Sequence, residues 1–463
     1  MGRSVYAGQS LLNYLISLSD SDTYTVGLIL GQSTDQRDYV IHLARTPPPA
    51  PKDVIEETLI GSTTNIQQES PVKLTKSVKD VPSSWVADHA LHVTRMLPGG
   101  MWVLGIFVVG PSDCFSDSSD TQQLKSIISS LHKNFESSPY LYGNNPRESL
   151  ILTFNSLTKK FSCKSFDVKL NNSMKNADWK FQDNITKWYQ LETRVDLDQV
   201  FPVVDGEESE TLKQQLQNIL NDMSDIINSS LVIIEGDKRP SDQLIEIVGN
   251  KKKKERKELK SNESDESISD KSLQATIYVP CPMKSERELR EVNCVASIRL
   301  VGQIGSRTFV HQKSTIMEAT GIIKQDIMRS LASRLEMHWD SLLEEENELP
   351  EDNFTLHEPP RRVLVALPQS RITLSDYLFP GEGPQEALIS LQELLDLQVQ
   401  ESSVQEELEL QVDPSEFYCQ NEINTEPTEH GKLVNNNQFM VYVSGLAAAI
   451  LFLIAAVIIH YIY

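Results

Sequence analysis

An apolar segment near the C-terminus constrains this chain more than any other feature of its sequence. Residues 439–459 are 21 residues without a charged side chain, interrupted only by Tyr442, Ser444 and Gly445. At about 1.5 Å per residue, a helix of this length spans about 30 Å, the hydrocarbon thickness of a bilayer. The segment therefore predicts a transmembrane helix. A buried core helix is the alternative, but core helices are rarely so long and so apolar.

The position of this segment predicts a topology. Only residues 460–463 follow it, so we expect its insertion to occur after translation ends. The N-terminal residues lack the apolar core of a signal peptide, because Asn13, Tyr14 and Ser17 interrupt the apolar side chains there. We therefore expect a tail-anchored, single-pass protein with nearly all of its mass on the cytosolic side.

Charge and cysteine content narrow the class of protein further. The 463 residues carry 65 acidic and 43 basic side chains, for a net charge of −22. This charge disfavours nucleic acid or an anionic lipid surface as the main partner. The cysteines are far apart and form no C-x-x-C pair, which argues against a zinc ribbon and against a disulfide framework. They are Cys114, Cys163, Cys281, Cys294 and Cys419.

Periodicity divides the chain into several parts. Residues 1–235 predict an α/β (α+β) body, and residues 236–271 predict a disordered linker in which a basic block meets an acidic one. Residues 272–398 predict a second α+β unit with a long helix at 315–343. Residues 399–438 predict an acidic tether, because nine acidic and no basic side chains lie between positions 401 and 430.

The elements expected in the two folded parts follow from apolar spacing and turn residues. In the first part these are helix 10–18, strands 24–30 and 39–44, helix 82–97, strands 101–109, 150–154, 161–168 and 189–197, helix 211–227 and strand 231–234. In the second part they are strands 273–279, 292–300 and 308–311, helix 315–343 and strand 363–367.

Pro98, Gly99 and Gly100 end the helix expected at 82–97. Proline cannot continue a helix, and glycine often takes a positive φ just after one. We expect Gly99 or Gly100 to have a positive φ, so that valine at either position destabilises the body.

A search for catalytic patterns finds little. The sequence has no H-E-x-x-H, no Walker A motif, no G-x-S-x-G and no complete G-x-G-x-x-G. His89 and His92 share one helix face and could bind zinc, but an obvious third ligand is missing. We interpret them as packing residues. We therefore expect no catalytic residues, no metal site, no cofactor and no small-molecule substrate.

Several short motifs resemble the odorant response abnormal protein 4 family, in the same order along the chain. The similarity continues through residues 324–343, 362–377 and the terminal apolar segment, and it covers nearly the whole chain. The six most informative motifs are Gly2-Arg3, Gly27 to Gln32, Asp38 to Val40, Arg45 to Pro48, Arg95 to Gly100 and Ala177 to Lys180.

The resemblance implies a tail-anchored endoplasmic reticulum protein that helps a subset of G-protein-coupled receptors leave that membrane. It also implies that the protein anchors a protease of the ubiquitin-fold modifier pathway there. The N-terminal body of the family is similar to the MPN metalloprotease fold. An active MPN enzyme has an H-x-H pair followed by Ser and Asp, whereas this chain has His89-Ala90-Leu91-His92. The departure favours a non-enzymatic adaptor over the alternative, a membrane-tethered hydrolase with an unrecognised metal or thiol site.

Deleting residues 439–463 should turn a membrane protein into a soluble one, because no other segment approaches the roughly 20 apolar residues needed to span a bilayer. Carbonate extraction of cell membranes measures this. The full chain should stay in the pellet and the truncated chain should move to the supernatant. Retention of the truncated chain in the pellet would require a second membrane attachment.

Overall fold

The computed structural model describes most of the chain up to Glu409. The described ranges are 2–20, 22–34, 37–48, 76–143, 148–170, 173–183, 186–204, 211–250, 272–280, 294–345, 355–357, 359–368 and 370–409. All of these ranges belong to one compact unit, Met1–Gln411. No helix within these ranges is long and apolar enough to cross a membrane. The segment expected to do so, 439–459, lies outside the described residues.

An eight-stranded sheet forms the largest element of a mixed α/β fold. Its order is β7-β6-β5-β4-β2-β3-β1-β8. Strand β4 is buried along its whole length, as expected for an apolar strand covered on both faces. The strands are β1 (Ser4–Gly8), β2 (Thr25–Ser33), β3 (Arg37–Arg45), β4 (Trp102–Gly110), β5 (Glu148–Asn155), β6 (Phe161–Asp167), β7 (Lys175–Asn176) and β8 (Asp178–Gln182).

The two edge strands of this sheet, β7 and β8, are consecutive in the sequence, so the sheet is strongly curved. Strand β7 pairs with β6, strand β8 pairs with β1, and only Ala177 separates β7 from β8. The amide of Ala177 donates to Cys163 O at 3.0 Å, and the amide of Asp178 donates to Arg3 O at 2.9 Å. Trp179 on β8 is buried in the core that this curled sheet encloses.

Two smaller sheets complete the strands. Strands β9 (Trp188–Val204) and β12 (Cys294–His311) pair antiparallel over nearly their whole length. They form the centre of the sheet β10-β11-β9-β12-β13, whose other members are β10 (Leu231–Ile234), β11 (Leu273–Tyr278) and β13 (Thr355–His357). The third sheet, β15-β14-β16, contains β14 (Arg361–Ala366), β15 (Thr373–Leu378) and β16 (Val404–Gln405).

Seven α-helices with assigned bounds occur in the described ranges. They are α1 (Gln9–Ser17), α2 (Ser83–Met96), α3 (Ser118–Ser137), α4 (Pro139–Tyr142), α5 (Leu212–Ser229), α6 (Ile316–Glu345) and α7 (Pro384–Leu395). Helix α6 occupies the centre, because every residue from Asp326 to Leu335 is buried. A helix buried on all sides cannot show a simple apolar stripe.

Buried charges fix α6 in this position. Asp326 on α6 accepts two hydrogen bonds from Arg362 on β14, at 2.8 and 3.1 Å, and a third from Ser306 on β12 at 2.6 Å. Both members of the pair are 1 % exposed. Burial alone would lower the pKa of Arg362, but Asp326 raises it. Arg362 therefore stays charged, and the pair joins the second and third sheets to the central helix.

A second buried pair holds the end of the described chain. Arg334 on α6 donates to both carboxylate oxygens of Glu409 at 2.6 Å. The same carboxylate accepts from the backbone amides of Gly305 at 2.8 Å and Arg362 at 2.9 Å. Both carboxylate oxygens of Glu409 thus accept hydrogen bonds from groups inside the fold.

Most elements expected from the sequence are confirmed within one or two residues. The expected strands 292–300 and 308–311 are instead the single strand β12, because it pairs with β9 without a break between them. Helices α3 and α7 and the strands β1 and β15 were not expected. Helices α3 and α7 nevertheless show helical spacing, at Leu124, Ile127, Ile128, Leu131 and Phe135 and at Ala387, Leu391 and Leu395. Strand β1 is short, and β15 buries polar side chains such as Asp376.

The expected boundaries need correction. Residues before and after the segment 236–271 share the β9–β12 sheet, so this segment does not separate two cores. Its first part, 236–250, is folded, with Ile245 and Val248 buried. Its remainder, 251–271, lies outside the described residues. Residues 399–409, expected to begin the tether, are instead folded: Val404 and Gln405 pair with β14, and Glu409 is buried. The rest of the expected tether, 410–438, also lies outside.

Replacing Asp326 with Asn should lower the free energy of unfolding by about 3–5 kcal/mol, because Arg362 then keeps a buried charge without a carboxylate. Urea unfolding of the chain without residues 439–463 measures this. Lys79→Met is the control, since it removes an exposed pair with Asp117 at 3.4 Å and should change little. Equal stability of Asp326→Asn and the parent chain would contradict a central role for the pair.

Candidate binding cleft

An open cleft of about 1300 Å³ with a mixed polar and apolar lining lies beside the central helix. One face of α6 forms its floor, and its walls come from β2, β3, β12, α4 and α5. Several motifs that carry the family resemblance meet here although they are far apart in sequence. Arg3, Gln32, Tyr39, Gly100 and Lys324 all line the cleft.

Gln32 joins three segments at the cleft wall. Its Nε2 donates to Gly100 O at 2.8 Å and to Phe309 O at 2.9 Å, and its Oε1 accepts from the amide of His311 at 2.8 Å. The side chain is 3 % exposed. Because a buried amide must have its donors and acceptor satisfied, Gln32 fixes the relative position of β2, β12 and the turn after α2.

The glycine turn after α2 packs closely against β12 and α6. Gly100 has a φ of +85°, which confirms the expected positive φ. A Cβ on Gly99 would lie 2.4 Å from Thr308 Cγ2 and 2.7 Å from Asp326 Cβ, so this glycine is required by close packing.

Arg329 of α6 supports the same turn from below. Its guanidinium donates to Leu97 O at 3.0 Å, to Met101 O at 3.1 Å and to Leu141 O at 3.0 Å. It also lies over the Trp102 ring, 4.7 Å from the centroid. Burial lowers the pKa of Arg329 to about 10, so the side chain remains charged at neutral pH.

A salt bridge and a ring stack form the opposite wall. Arg3 pairs with Asp38, which is 1 % exposed, through two hydrogen bonds, one of 2.7 Å. Tyr39, the next residue, stacks on His311 with a centroid distance of 4.4 Å, and Trp188 packs edge-on against both rings. Burial, Lys313 and Arg37 lower the pKa of His311. The ring is therefore neutral at physiological pH.

The structure gives His89 and His92 different surroundings. His89 is buried, and its Nε2 donates to Leu394 O at 2.8 Å while its Nδ1 lies 3.1 Å from the Thr46 hydroxyl. His92 is exposed on the same helix. Within the described residues, no group of three or more His, Cys, Asp or Glu side chains could hold a metal ion.

His89 and His42 share a structural task. His42 on β3 lies with its Nε2 2.9 Å from Leu395 O, so the two histidines bind the last carbonyls of α7. Burial lowers the pKa of both. The sequence did not predict that either histidine contacts α7, because α7 lies about 300 residues further along the chain.

The cysteines whose side chains the structure describes are poor nucleophiles. Cys114 and Cys163 are free and buried, and burial raises the pKa of the Cys114 thiol to about 12 and that of Cys163 further. A thiol nucleophile needs a lowered pKa. The cleft instead presents amides, hydroxyls, aromatic rings and cations, which are groups suited to binding a polar ligand.

The fold and the cleft define a mixed α/β protein with an open cleft beside its central helix. The chain belongs to the Odorant response abnormal 4-like family, whose model matches residues 27–406. It is 31 % identical over 415 residues to the Protein odr-4 homolog of Gallus gallus, covering 87 % of this chain and 86 % of the relative. It is 24 % identical over 331 residues to the Odorant response abnormal protein 4 of Caenorhabditis elegans, covering 70 % and 65 %.

The comparison with solved structures finds a weaker likeness. UfSP from C. elegans aligns with a TM-score of 0.42 and 9 % identity, covering 86 % of this chain and 57 % of that chain.

The buried state of His89 predicts acid sensitivity. Its pKa is about 4 in the folded chain, below its ordinary value of 6.5, so the unfolded chain binds more protons between these values. The stabilising effect is therefore present above about pH 6.5 and is lost as the pH falls toward 4. When the pH falls from about 7.5 to about 5, protonation of His89 in the unfolded chain should lower the free energy of unfolding by about 2 kcal/mol.

Urea unfolding of the parent chain and of His89→Gln measures this contribution. The variant should be less stable at neutral pH, but its stability should fall by about 2 kcal/mol less on acidification. His92→Gln, which changes an exposed histidine on the same helix, should show a smaller difference. Parallel loss of stability in the parent and His89→Gln chains would contradict a neutral, buried His89.

Proposed function

We propose that the chain is a non-enzymatic, tail-anchored membrane adaptor. It assists the trafficking and localisation of a subset of G-protein-coupled receptors and holds a ubiquitin-fold modifier protease at the endoplasmic reticulum. Membership of the Odorant response abnormal 4-like family supports this proposal, as does the apolar segment 439–459. The described fold then faces the cytosol, and residues 410–438 connect it to the membrane.

The observation that supports the adaptor proposal is that both ring nitrogens of His89 already have protein partners. An MPN-like N-terminal fold remains part of this proposal, and in such a fold a working metal site needs two free imidazoles facing one ion. Here both ring nitrogens of His89 have protein partners, and His92 is exposed. Of the two residues that would replace the metalloprotease pair, His89 serves packing and His92 lies at the surface.

A membrane-tethered hydrolase is the second candidate. It would need a metal or a reactive thiol at a site that the sequence motifs do not show. Metal analysis of the purified full chain separates the two candidates, because stoichiometric zinc would favour the hydrolase. The buried thiols of Cys114 and Cys163 give that candidate little support.

Proximity labelling from a ligase fused to Met1 tests the adaptor function in cells. The full chain should label receptors and the protease at the endoplasmic reticulum, because the membrane segment concentrates them around the fold. The chain without residues 439–463 should label both much less while staying folded. Labelling that is equal with and without the segment, or that contains neither class of protein, would contradict the proposal.

A further inference from the structure

Asp376 of β15 is a buried carboxyl group that pairs with no cation in the described part of the chain. It is 8 % exposed. Its carboxyl group accepts from the amide of Tyr377 at 2.9 Å and from the hydroxyl of Ser390 on α7. A carboxylate in a protein interior is normally paired with a cation, because removing its charge from water is costly. Asp376 therefore places an uncompensated acidic group between β15 and α7.

The charged side chains of the adjacent strand and turn do not compensate Asp376. Val363 lies opposite it on β14, and Arg361 lies on the same face of that strand. Arg361 is paired with Glu406 instead. Glu382, in the turn before α7, adds negative charge near Asp376. A carboxylate at this position therefore meets repulsion from Glu382 and no free cation from β14.

The helices that contact β15, α2 and α7, direct their charges away or add negative ones. Helix α7 carries Glu386 and Glu393 and no basic side chain. Arg95 of α2 pairs with Glu336 on α6 at 3.0 Å, and the buried His89 of α2 is neutral above about pH 4. The surroundings of Asp376 thus favour its protonated form.

Helix α7 is attached to the body by a narrow interface. Its buried side chains are Ala387, Leu391 and Leu395, which are spaced four apart. His89 and His42 bind its last two carbonyls. Because this interface buries little apolar surface, the charge of one carboxyl group within it has a large influence on whether the helix stays attached.

We propose that Asp376 makes the attachment of α7 to β15 sensitive to pH near neutrality. Protonated Asp376 fits the interface, because a neutral carboxyl group with hydrogen-bond partners is buried at low cost. Ionised Asp376 weakens the interface, because its charge has no counter-ion while α7 covers it. Asp376 therefore holds α7 more tightly in slightly acidic than in slightly alkaline solution. This inference does not depend on the adaptor function.

The direction of the effect follows from where Asp376 binds its proton. Burial and the negative charge of Glu382 raise the pKa of Asp376 from 3.8 to about 7 while α7 is attached. In a detached state the carboxyl group is exposed and its pKa returns toward 3.8, so the attached state binds more protons between these values. This contribution to attachment is present at low pH and is lost as the pH rises through 7. Between pH 6 and pH 8 it changes the attachment equilibrium by about tenfold.

His89 acts in the opposite direction at lower pH. Its pKa is about 4 in the folded chain, against an ordinary value of 6.5, so acidification below pH 6.5 weakens its contact with α7. The parent chain contains both effects. A variant that lacks only the ionisable group of Asp376 isolates its contribution, because the histidines contribute equally to both chains.

Hydrogen exchange of the α7 amides, measured by mass spectrometry on the full chain in a non-ionic detergent, tests the proposal. Exchange rates at pH 6 and pH 8 are divided by the intrinsic rates at each pH, which gives the opening equilibrium of the helix. The ratio of opening in the parent chain to opening in Asp376→Asn should be about tenfold higher at pH 8 than at pH 6. An equal ratio at the two pH values would overturn the proposal.

Two comparisons locate the effect in the molecule. Glu386→Gln removes an exposed carboxylate from the first turn of α7 and should keep the pH dependence of the parent chain. The amides of α3, a helix of the same compact unit, should show no such change in the ratio. If Glu386→Gln behaves like Asp376→Asn, a general charge effect replaces the proposal. If α3 changes as much as α7, global unfolding replaces it.

Discussion

The buried pair of Asp326 and Arg362 is the interaction on which the rest of this structure depends. It lies where the central helix, the β9–β12 sheet and the three-stranded sheet meet. Apolar contacts are not directional, so they fix the relative positions of three elements less specifically than these hydrogen bonds do. Buried ion pairs often contribute little net stability, but removing one partner is costly. The pair therefore links segments that are far apart in sequence within one compact unit.

Local elements of this fold could be predicted, whereas their assembly could not. The apolar run before Gly110 and the turn at Gly100 have clear local signatures, and both are confirmed. Strands β7 and β8 are too short and too polar to show a period of two, yet they close the large sheet. Helix α7 could have been predicted, because its buried residues Ala387, Leu391 and Leu395 are spaced four apart and Pro384 stands at its first position.

The cleft shows the same limit of sequence reasoning. The motifs containing Gln32 and Gly100 could be recognised, and so could the histidines of α2, whose interpretation as packing residues agrees with the bonds of His89. The cleft itself is assembled by long-range hydrogen bonds between these motifs and β12. No spacing within one segment contains that information, because the partners are separated by up to 279 residues.

The attachment of Glu409 has a mechanical consequence. The last described residue is held by Arg334 of the central helix and by two backbone amides, not by a surface loop. Any pull on the chain beyond this point is therefore transmitted first to the middle of the molecule. Load applied there acts on a bidentate ionic contact whose rupture would expose two charges in a dry interior. The body is thus connected to the residues after Glu409 through its central helix.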